Sequence, residues 1–474
     1  MIKRLTSRID LPVSLSQQVA LQFEEYLQGS PLTASPLNVG VALALEGPVD
    51  HSSLQQAINQ TVQRHEALRT KFSALQAPTI DRSAYVPGVY GQSVIEVDHV
   101  ELATKSLRSI QMEPLDEQLG KIFFEDLAKP FDYQRPPILR ATLLEITKAR
   151  HFLMITSHHL IFDSWSVRIL IRDLTGFYSS NLSKCDCSLP VLSIHFPDFA
   201  VWQRQQLNSE SFSASVAFWR AKEQAILEAQ ERHGELRVRS LSKNSRPRSR
   251  YSQPAGATHH AARLPIPSML LSESESFARR NRVTPFMLWL TALLILLQRL
   301  TQKRVLIVRT PFANRSMQTE HVIGWFANSH FLAVEIETLD SAARILEKVS
   351  VAVLEAYTHQ SLPSTLIHRA SGSPLVMAEA PMFFHFAVNP NLDLRNKNET
   401  NLIKIEKVLL PGVHAVGGMH VSVDPYQGII AAGYRKPTFA GLPVATLTEA
   451  LQRTLAEVIS FPQRKISDFI PGVC

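Results

Sequence analysis

The segment SHHLIFDSWS, Ser157 to Ser166, gathers the residue types in this chain best suited to acid–base chemistry. His158 and His159 close an apolar run, and Asp163 follows four residues after His159. A neutral imidazole with an ordinary pKa of ~6.5 accepts a proton at physiological pH. If the nucleophile belongs to the substrate, such a base needs no serine or cysteine of the enzyme. The rest of the chain agrees, having no G-x-S-x-G, G-x-x-x-x-G-K, G-x-G-x-x-G or H-E-x-x-H pattern. Side chains adjacent on a strand point to opposite faces, so the two histidines cannot share one cavity: one works and the other packs or braces. On the residues alone, a purely structural histidine pair remains the alternative.

The elements that must hold this segment read as strands and helices in alternation, an α/β architecture. Residues 37–46 form a strand stopped by Gly47-Pro48, and residues 50–72 follow as a long helix with apolar positions at Leu54, Ala57, Ile58, Val62 and Leu68. A strand over 140–146 precedes another over 152–155, which is apolar without alternation and is therefore expected to be covered on both faces. Asp163 falls in the turn before a helix running through Val167 and Leu170. The polar, proline-ended stretch 181–190 is the expected linker, dividing an N-terminal lobe, 1–182, from a C-terminal lobe, 183–474. In the second lobe, Thr284 and Pro285 open a fully apolar helix over 286–297. Strands are expected at 303–309, 331–336 and 382–388.

Composition narrows the class. At 474 residues the chain exceeds one ordinary domain and suits two large lobes. With 45% hydrophobic and 19% charged residues it is globular rather than disordered. The net charge of +7 favours an acidic partner without indicating nucleic acid. Part of that excess sits between Arg232 and Arg250, read as a solvated loop or, alternatively, a docking surface. Cys185, Cys187 and Cys474 build neither a disulfide framework nor a zinc site, so reduced thiols, a cytoplasmic location and no metal are expected. The start of the chain has no signal-peptide pattern, and the apolar run of 286–297 is too short to span a bilayer, so no membrane partner is expected. His151 and the pair His259-His260 read as packing or surface residues, Arg64, Glu66 and Arg69 as organisers of the lobe, and Trp325 and Phe326 as core.

H-H-x-x-x-D resembles the signature of the condensation domains of nonribosomal peptide synthetases, relatives of chloramphenicol acetyltransferase. Further blocks resemble that family in its order. They are Ser14-Leu15-Ser16-Gln17-Gln18, the nine residues from Arg64 to Phe72 (RHEALRTKF), and the seven from Phe196 to Trp202 (FPDFAVW). Pro311 to Arg315 (PFANR), Ile323 to Asn328 (IGWFAN) and, more weakly, His359 to Pro363 (HQSLP) complete the series. The resemblance covers essentially the whole chain.

It implies a fold of two chloramphenicol-acetyltransferase-like lobes in a V, a pseudo-dimer with its active site in a tunnel between them. It implies His159 as the catalytic residue, with an ordinary pKa, and His158 and Asp163 as structural, Asp163 ion-paired to Arg315 across the lobes. Ser164, Trp165, Ser166, Asn328, His385 and Asn389 would line the tunnel. The family has glycine where Ser164 stands; glycine leaves room and permits unusual backbone angles, so the serine is either tolerated or retunes the channel. The implied reaction transfers an acyl group from the phosphopantetheine thioester of a carrier protein to an amine or alcohol, with no cofactor bound by the enzyme itself. No adenylation or carrier segment fits within the 474 residues, so an acyl- or peptidyl-carrier protein is expected to meet the enzyme in trans. The rival readings are an O-acyltransferase acting on a lipid or polyketide alcohol, an epimerisation domain, and a non-catalytic module that recruits a carrier.

Overall fold

A computed structural model describes residues 1–28, 37–79, 88–107, 115–235, 260–363, 366, 382–387, 404–408, 419–434 and 438–469. It divides into two compact units, one of Met1–Ser213, Ala313–Ala327 and Pro390–Val413, the other of Ala214–Phe312, Asn328–Asn389 and His414–Cys474. The boundary therefore differs from the expected one at 182/183. Residues 181–190 lie inside the first unit because the helix that follows them is anchored there: Asp198 accepts from Arg8 (2.7 Å) and from the backbone N–H of Leu5 (2.8 Å).

In the first unit, β1 (Leu11–Pro12), β3 (Thr70–Thr79) and β4 (Gly88–Val94) form a three-stranded antiparallel sheet in the order β1-β4-β3. The larger sheet has the order β12-β2-β7-β6-β5, from β2 (Asn38–Glu46), β5 (Leu102–Ser106), β6 (Leu139–Thr147), β7 (Arg150–His158) and β12 (Lys404–Val408). Its strands pair antiparallel except β5 with β6. Around these sheets stand α1 (Leu15–Gln28), α2 (His51–Arg64), α3 (Leu115–Leu127), α4 (Ser164–Ser183) and α5 (Phe196–Gln205).

β7 is central and buried from His151 to His158. Leu153 and Ile155 join the main core with α2 and α4, whereas Phe152 and Met154 join a second cluster with Leu119 and Phe123 of α3. Both faces are covered, which is why the strand is apolar without alternation. His151, read from sequence as packing or surface, is buried here.

The helix expected over 50–72 is shorter. α2 stops at Arg64, His65 is extended (φ −108°, ψ 104°), a 3-10 turn covers Glu66–Arg69 and β3 begins at Thr70. Tertiary bonds override the local helical pattern: buried His65 meets Asp173 of α4 at 2.8 Å, and Arg64 meets the same carboxylate at 2.8 Å. Arg64, Glu66 and Arg69 thus organise this unit, Glu66 through Arg8 at 2.9 Å.

The second unit holds a six-stranded sheet in the order β10-β9-β11-β13-β14-β8. Its strands are β8 (His260–Pro265), β9 (Val305–Phe312), β10 (Asn328–Glu335), β11 (Met382–Phe386), β13 (Met419–Asp424) and β14 (Ile429–Tyr434). β11 runs parallel to β9 and β13, and the other pairs are antiparallel. The helices are α6 (Glu210–Arg232, entering from the first unit), α7 (Ser268–Arg280), α8 (Pro285–Thr301), α9 (Ala342–Thr358) and α10 (Val444–Ser460). α8 is the expected apolar helix: Thr284 caps it, Pro285 opens it, and every residue from Met287 to Gln298 is buried. No single helix among the described residues is long and apolar enough to cross a membrane. Of the basic stretch 232–250, residues 232–235 lie within the described residues, with Arg232 the one arginine among them; Glu235 accepts from the backbone N–H of Val305 at the start of β9 (3.2 Å).

Candidate active site

β7 ends at His158, and its side chain turns inward. The ring is fully buried, its Nδ1 accepts the backbone N–H of Leu160 (3.2 Å), and Nε2 lies 3.3 Å from the Tyr133 hydroxyl. An Nδ1 that accepts leaves the proton on Nε2, so His158 is a neutral brace with a fixed tautomer. His159 leaves the strand, its backbone N–H donating to the carbonyl of Leu37 (2.9 Å), and its side chain is half-buried. The divergence expected from strand alternation is present.

Burial pushes the His159 imidazole down to about 4, with the Asp163 carboxylate opposing. The ordinary pKa expected from sequence is therefore corrected: desolvation of the charged form outweighs attraction to Asp163. His159 is a neutral imidazole throughout the physiological range.

The loop between His159 and α4 is held from several sides. Gln17, in the first turn of α1, donates to the carbonyl of Leu160 (2.8 Å), while its Oε1 accepts the backbone N–H of Ser14 and Ser14 Oγ accepts the N–H of Gln17. This capping box is the physical content of the S-x-x-Q block. Asp163 is the N-cap of α4, accepting the N–H (2.8 Å) and the hydroxyl (2.8 Å) of Ser166 at Oδ1. The same oxygen meets Arg315 at 2.8 Å, and the other accepts the backbone N–H groups of Phe326 (3.1 Å) and Ala327 (3.2 Å). Arg315 also donates to the carbonyl of Thr319 (2.8 Å), and its guanidinium lies 4.0 Å over the Phe326 ring.

The Asp163–Arg315 pair thus exists, but both partners lie in the first unit rather than across the lobes, because 313–327 packs with 1–213. Ser166 is corrected too. It is fully buried, and its hydroxyl accepts the Gly324 N–H (3.1 Å) and shares its one proton between Asp163 Oδ1 and the Gly324 carbonyl (3.0 Å), so it secures the loop rather than lining a channel. Gly324 is required sterically: a Cβ there would stand 2.1 Å from Cδ2 of Phe196.

Ser164 is the exposed first residue of α4 and has no positive φ, so the backbone freedom of glycine is not needed at this position. The Trp165 indole donates to the Glu320 carbonyl (2.9 Å), with the Arg168 guanidinium 4.3 Å above its ring. In the second unit, Asn328 donates its amide to the Gln360 carbonyl (2.7 Å), and His385 stands half-buried in β11. Asn389 lies outside the described residues, as does His259.

Trp325 is the functional neighbour that sequence reading placed in the core. Phe326 is core, 1% exposed, but Trp325 is half-buried and its ring lies 4.8 Å from that of His159, tilted by 35°. Trp325 packs against the edge of the main core as well, as the sequence reading had it, and no local signal marked its contact with His159. Among the described residues one group, His233, Glu335 and Glu337, brings metal-ligating atoms within 4.8 Å of one another, but Arg232 and Arg304 already pair with the two carboxylates.

The chain belongs to the condensation-domain family, whose model matches residues 8–469. It is similar to phosphinothricin tripeptide synthetase PhsC of Streptomyces viridochromogenes, with 30% identity over 376 residues, 79% of this chain and 32% of that protein. The chain thus spans about a third of that relative's length. Among solved structures it resembles the first condensation domain of the calcium-dependent antibiotic synthetase, bound to a substrate analogue, with a TM-score of 0.74 at 16% identity over 98% of this chain and 99% of that one. It also resembles the X-domain from teicoplanin biosynthesis, with a TM-score of 0.73 at 19% identity over 99% of both chains. The fold is accordingly the α/β chloramphenicol-acetyltransferase-like class expected from the motifs.

Proposed function

We propose that this chain is a condensation enzyme of nonribosomal-peptide biosynthesis. It transfers an acyl group from the phosphopantetheine thioester of a carrier protein to an amine, forming an amide. The amine nitrogen attacks the thioester carbonyl, the C–S bond breaks, and the proton lost by nitrogen leaves with the pantetheine thiol. His159 positions the attacking N–H and relays its proton, and no covalent enzyme intermediate forms. His158, Asp163 and Arg315 support it structurally, and Ser164 and Trp165, at the start of α4, are proposed to meet the substrate.

The observation that carries this reading is His159 itself, neutral and held at the end of β7 beside the buried Asp163 network. An α-amine with a pKa of about 8 is already partly deprotonated at neutral pH and so asks less of His159 than an alcohol, which needs general-base help. The carrier protein, acting in trans, is the proposed partner.

The test is intact-mass spectrometry of an acyl-loaded carrier protein incubated with the enzyme and a panel of amines and alcohols, with His159→Ala in parallel. Unloading onto amines by wild type but not by the variant supports the proposal. Unloading onto alcohols alone makes the chain an ester-forming transferase. A carrier that stays loaded with every acceptor, yet binds equally well to both proteins, makes it a recruitment module.

A further inference from the structure

We infer that Trp325 is the positioning residue for His159: its indole, carried on a backbone segment clamped by Asp163 and Ser166, lies tilted against the imidazole and limits the planes in which the ring acts. This rests on the reading of His159 as the catalytic residue.

The backbone on both sides of Trp325 is fixed. Ser166 Oγ holds both the N–H (3.1 Å) and the carbonyl (3.0 Å) of Gly324. Asp163 Oδ2 holds the N–H groups of Phe326 and Ala327. Phe326 packs its ring 4.9 Å from that of Phe196 and 4.7 Å from that of Phe199, which locks the segment into the core of the first unit. Between these anchors, the Trp325 indole meets the His159 ring at 4.8 Å.

His159 depends on that contact more than His158 does. The ring of His158 is fixed by Leu160 and Tyr133. For His159, no described residue hydrogen-bonds the buried Nδ1. The last torsion of a histidine side chain has broad wells, so a ring unbonded at Nδ1, with only the backbone of Phe162 and of His159 itself acting on it as hydrogen-bond partners, still samples a range of planes. An aromatic contact against an immobile indole biases such a range by about 2- to 13-fold. The indole covers part of the imidazole, in keeping with the burial that lowers its pKa; the Asp163 carboxylate attracts the imidazolium, and His158, neutral by its own hydrogen bonds, would oppose it only if protonated. Asp163 then has a second use beyond its ion pair: the carboxylate that caps α4 also carries Trp325 to His159.

The experiment follows the His159 ring by NMR in the full chain with labelled histidine, titrated against pH. It compares wild type, Trp325→Ala, Trp325→Leu and Trp325→Phe, and measures transfer kinetics for each. With the indole removed, the His159 titration is expected to move up from about 4 towards the ordinary histidine value, and kcat to fall about tenfold with KM little changed. Trp325→Phe restores most of both. Trp325→Leu retains bulk without a ring and serves if the alanine variant does not fold. A folded Ala or Leu variant whose His159 titrates as in wild type overturns the inference. So does a variant in which KM alone rises, which would make Trp325 a substrate contact. The NMR result is independent of turnover, so a wild type that transfers nothing removes the catalytic reading while the titration still decides whether Trp325 governs His159.

Discussion

Asp163 and Arg315 stand 2.8 Å apart with side chains only 1% and 4% exposed, and between them they tie the start of α4 to residues 315–327. A buried pair of this kind matters most when one partner is removed, because the other is left charged in a poorly solvated place. Asp163→Ala is expected to cost about 3–5 kcal/mol of stability. The double variant Asp163→Leu/Arg315→Met should be less damaged than the sum of the single changes. Chemical denaturation of the four proteins of that cycle measures the coupling, and additive losses would mean the pair does not act as a unit.

Acid should loosen the fold as the unfolded chain takes up protons that the buried histidines refuse. His159 is held at about 4 and His195 at about 3, both mainly by burial, while the unfolded chain binds those protons near pH 6.5. Below pH 6.5 the unfolded state therefore carries more protons than the native state. The neutral-histidine stability is complete above that pH and is lost progressively as pH falls towards about 4 for His159 and about 3 for His195. The slope approaches about 1.4 kcal/mol per pH unit for each histidine. Urea denaturation from pH 7 to pH 4 reads it, and His159→Asn should flatten it. An unchanged slope in that variant would show that His159 is not held neutral.

Gly324→Ala should be disproportionately harmful for a one-carbon change. Its Cβ would overlap the Phe196 ring, 2.1 Å from Cδ2, and overpacking of that sort costs about 1–3 kcal/mol. Because Gly324 precedes Trp325, transfer should slow as well. Phe196→Leu in the same chain should recover part of the stability, as a thermal melt would show; no recovery would mean that the clash is relieved elsewhere.

Gln17→Ala removes the hydrogen bond to Leu160 and half of the capping box on α1. A loss of about 1–2 kcal/mol is expected, together with weaker transfer, since Leu160 adjoins His159. Gln17→Glu keeps the cap acceptor but sets a buried carboxylate against the Leu160 carbonyl, so it should be at least as destabilised as Gln17→Ala, as chemical denaturation would show; a near-wild-type stability would mean that the bond to Leu160 contributes little.

Ser164→Gly should change stability by no more than about 1 kcal/mol, because Ser164 is exposed and helical. Any larger effect should appear in kinetics with the carrier-bound donor, as a change in KM. Unchanged kinetics would mean that this side chain does not touch the pantetheine arm.

Much of the framework was legible in the sequence because it is written in local terms. Thr284 and Pro285 announce α8, its unbroken apolar run requires burial on every side, and the continuous apolar character of β7 requires cover on both faces. Asp163, just before the α4 pattern, reads directly as a cap. The ordered blocks from Ser14 to Pro363 carried the family without any structure. By contrast, local periodicity overran α2 into Glu66–Phe72, where buried bonds from His65 and Arg64 to Asp173 end the helix.

What the sequence determined, then, was the elements, the family and the short list of residues that could do the chemistry. What only the tertiary structure decided was how those residues meet. Ser166 proved to secure the backbone of Gly324, Arg315 proved to share a unit with Asp163, and Trp325 proved to lie on His159. These contacts join residues roughly 150 to 170 positions apart, and no local propensity encodes such a distance. The His159 pKa follows the same rule, because desolvation depends on everything packed around the ring rather than on its neighbours in the chain.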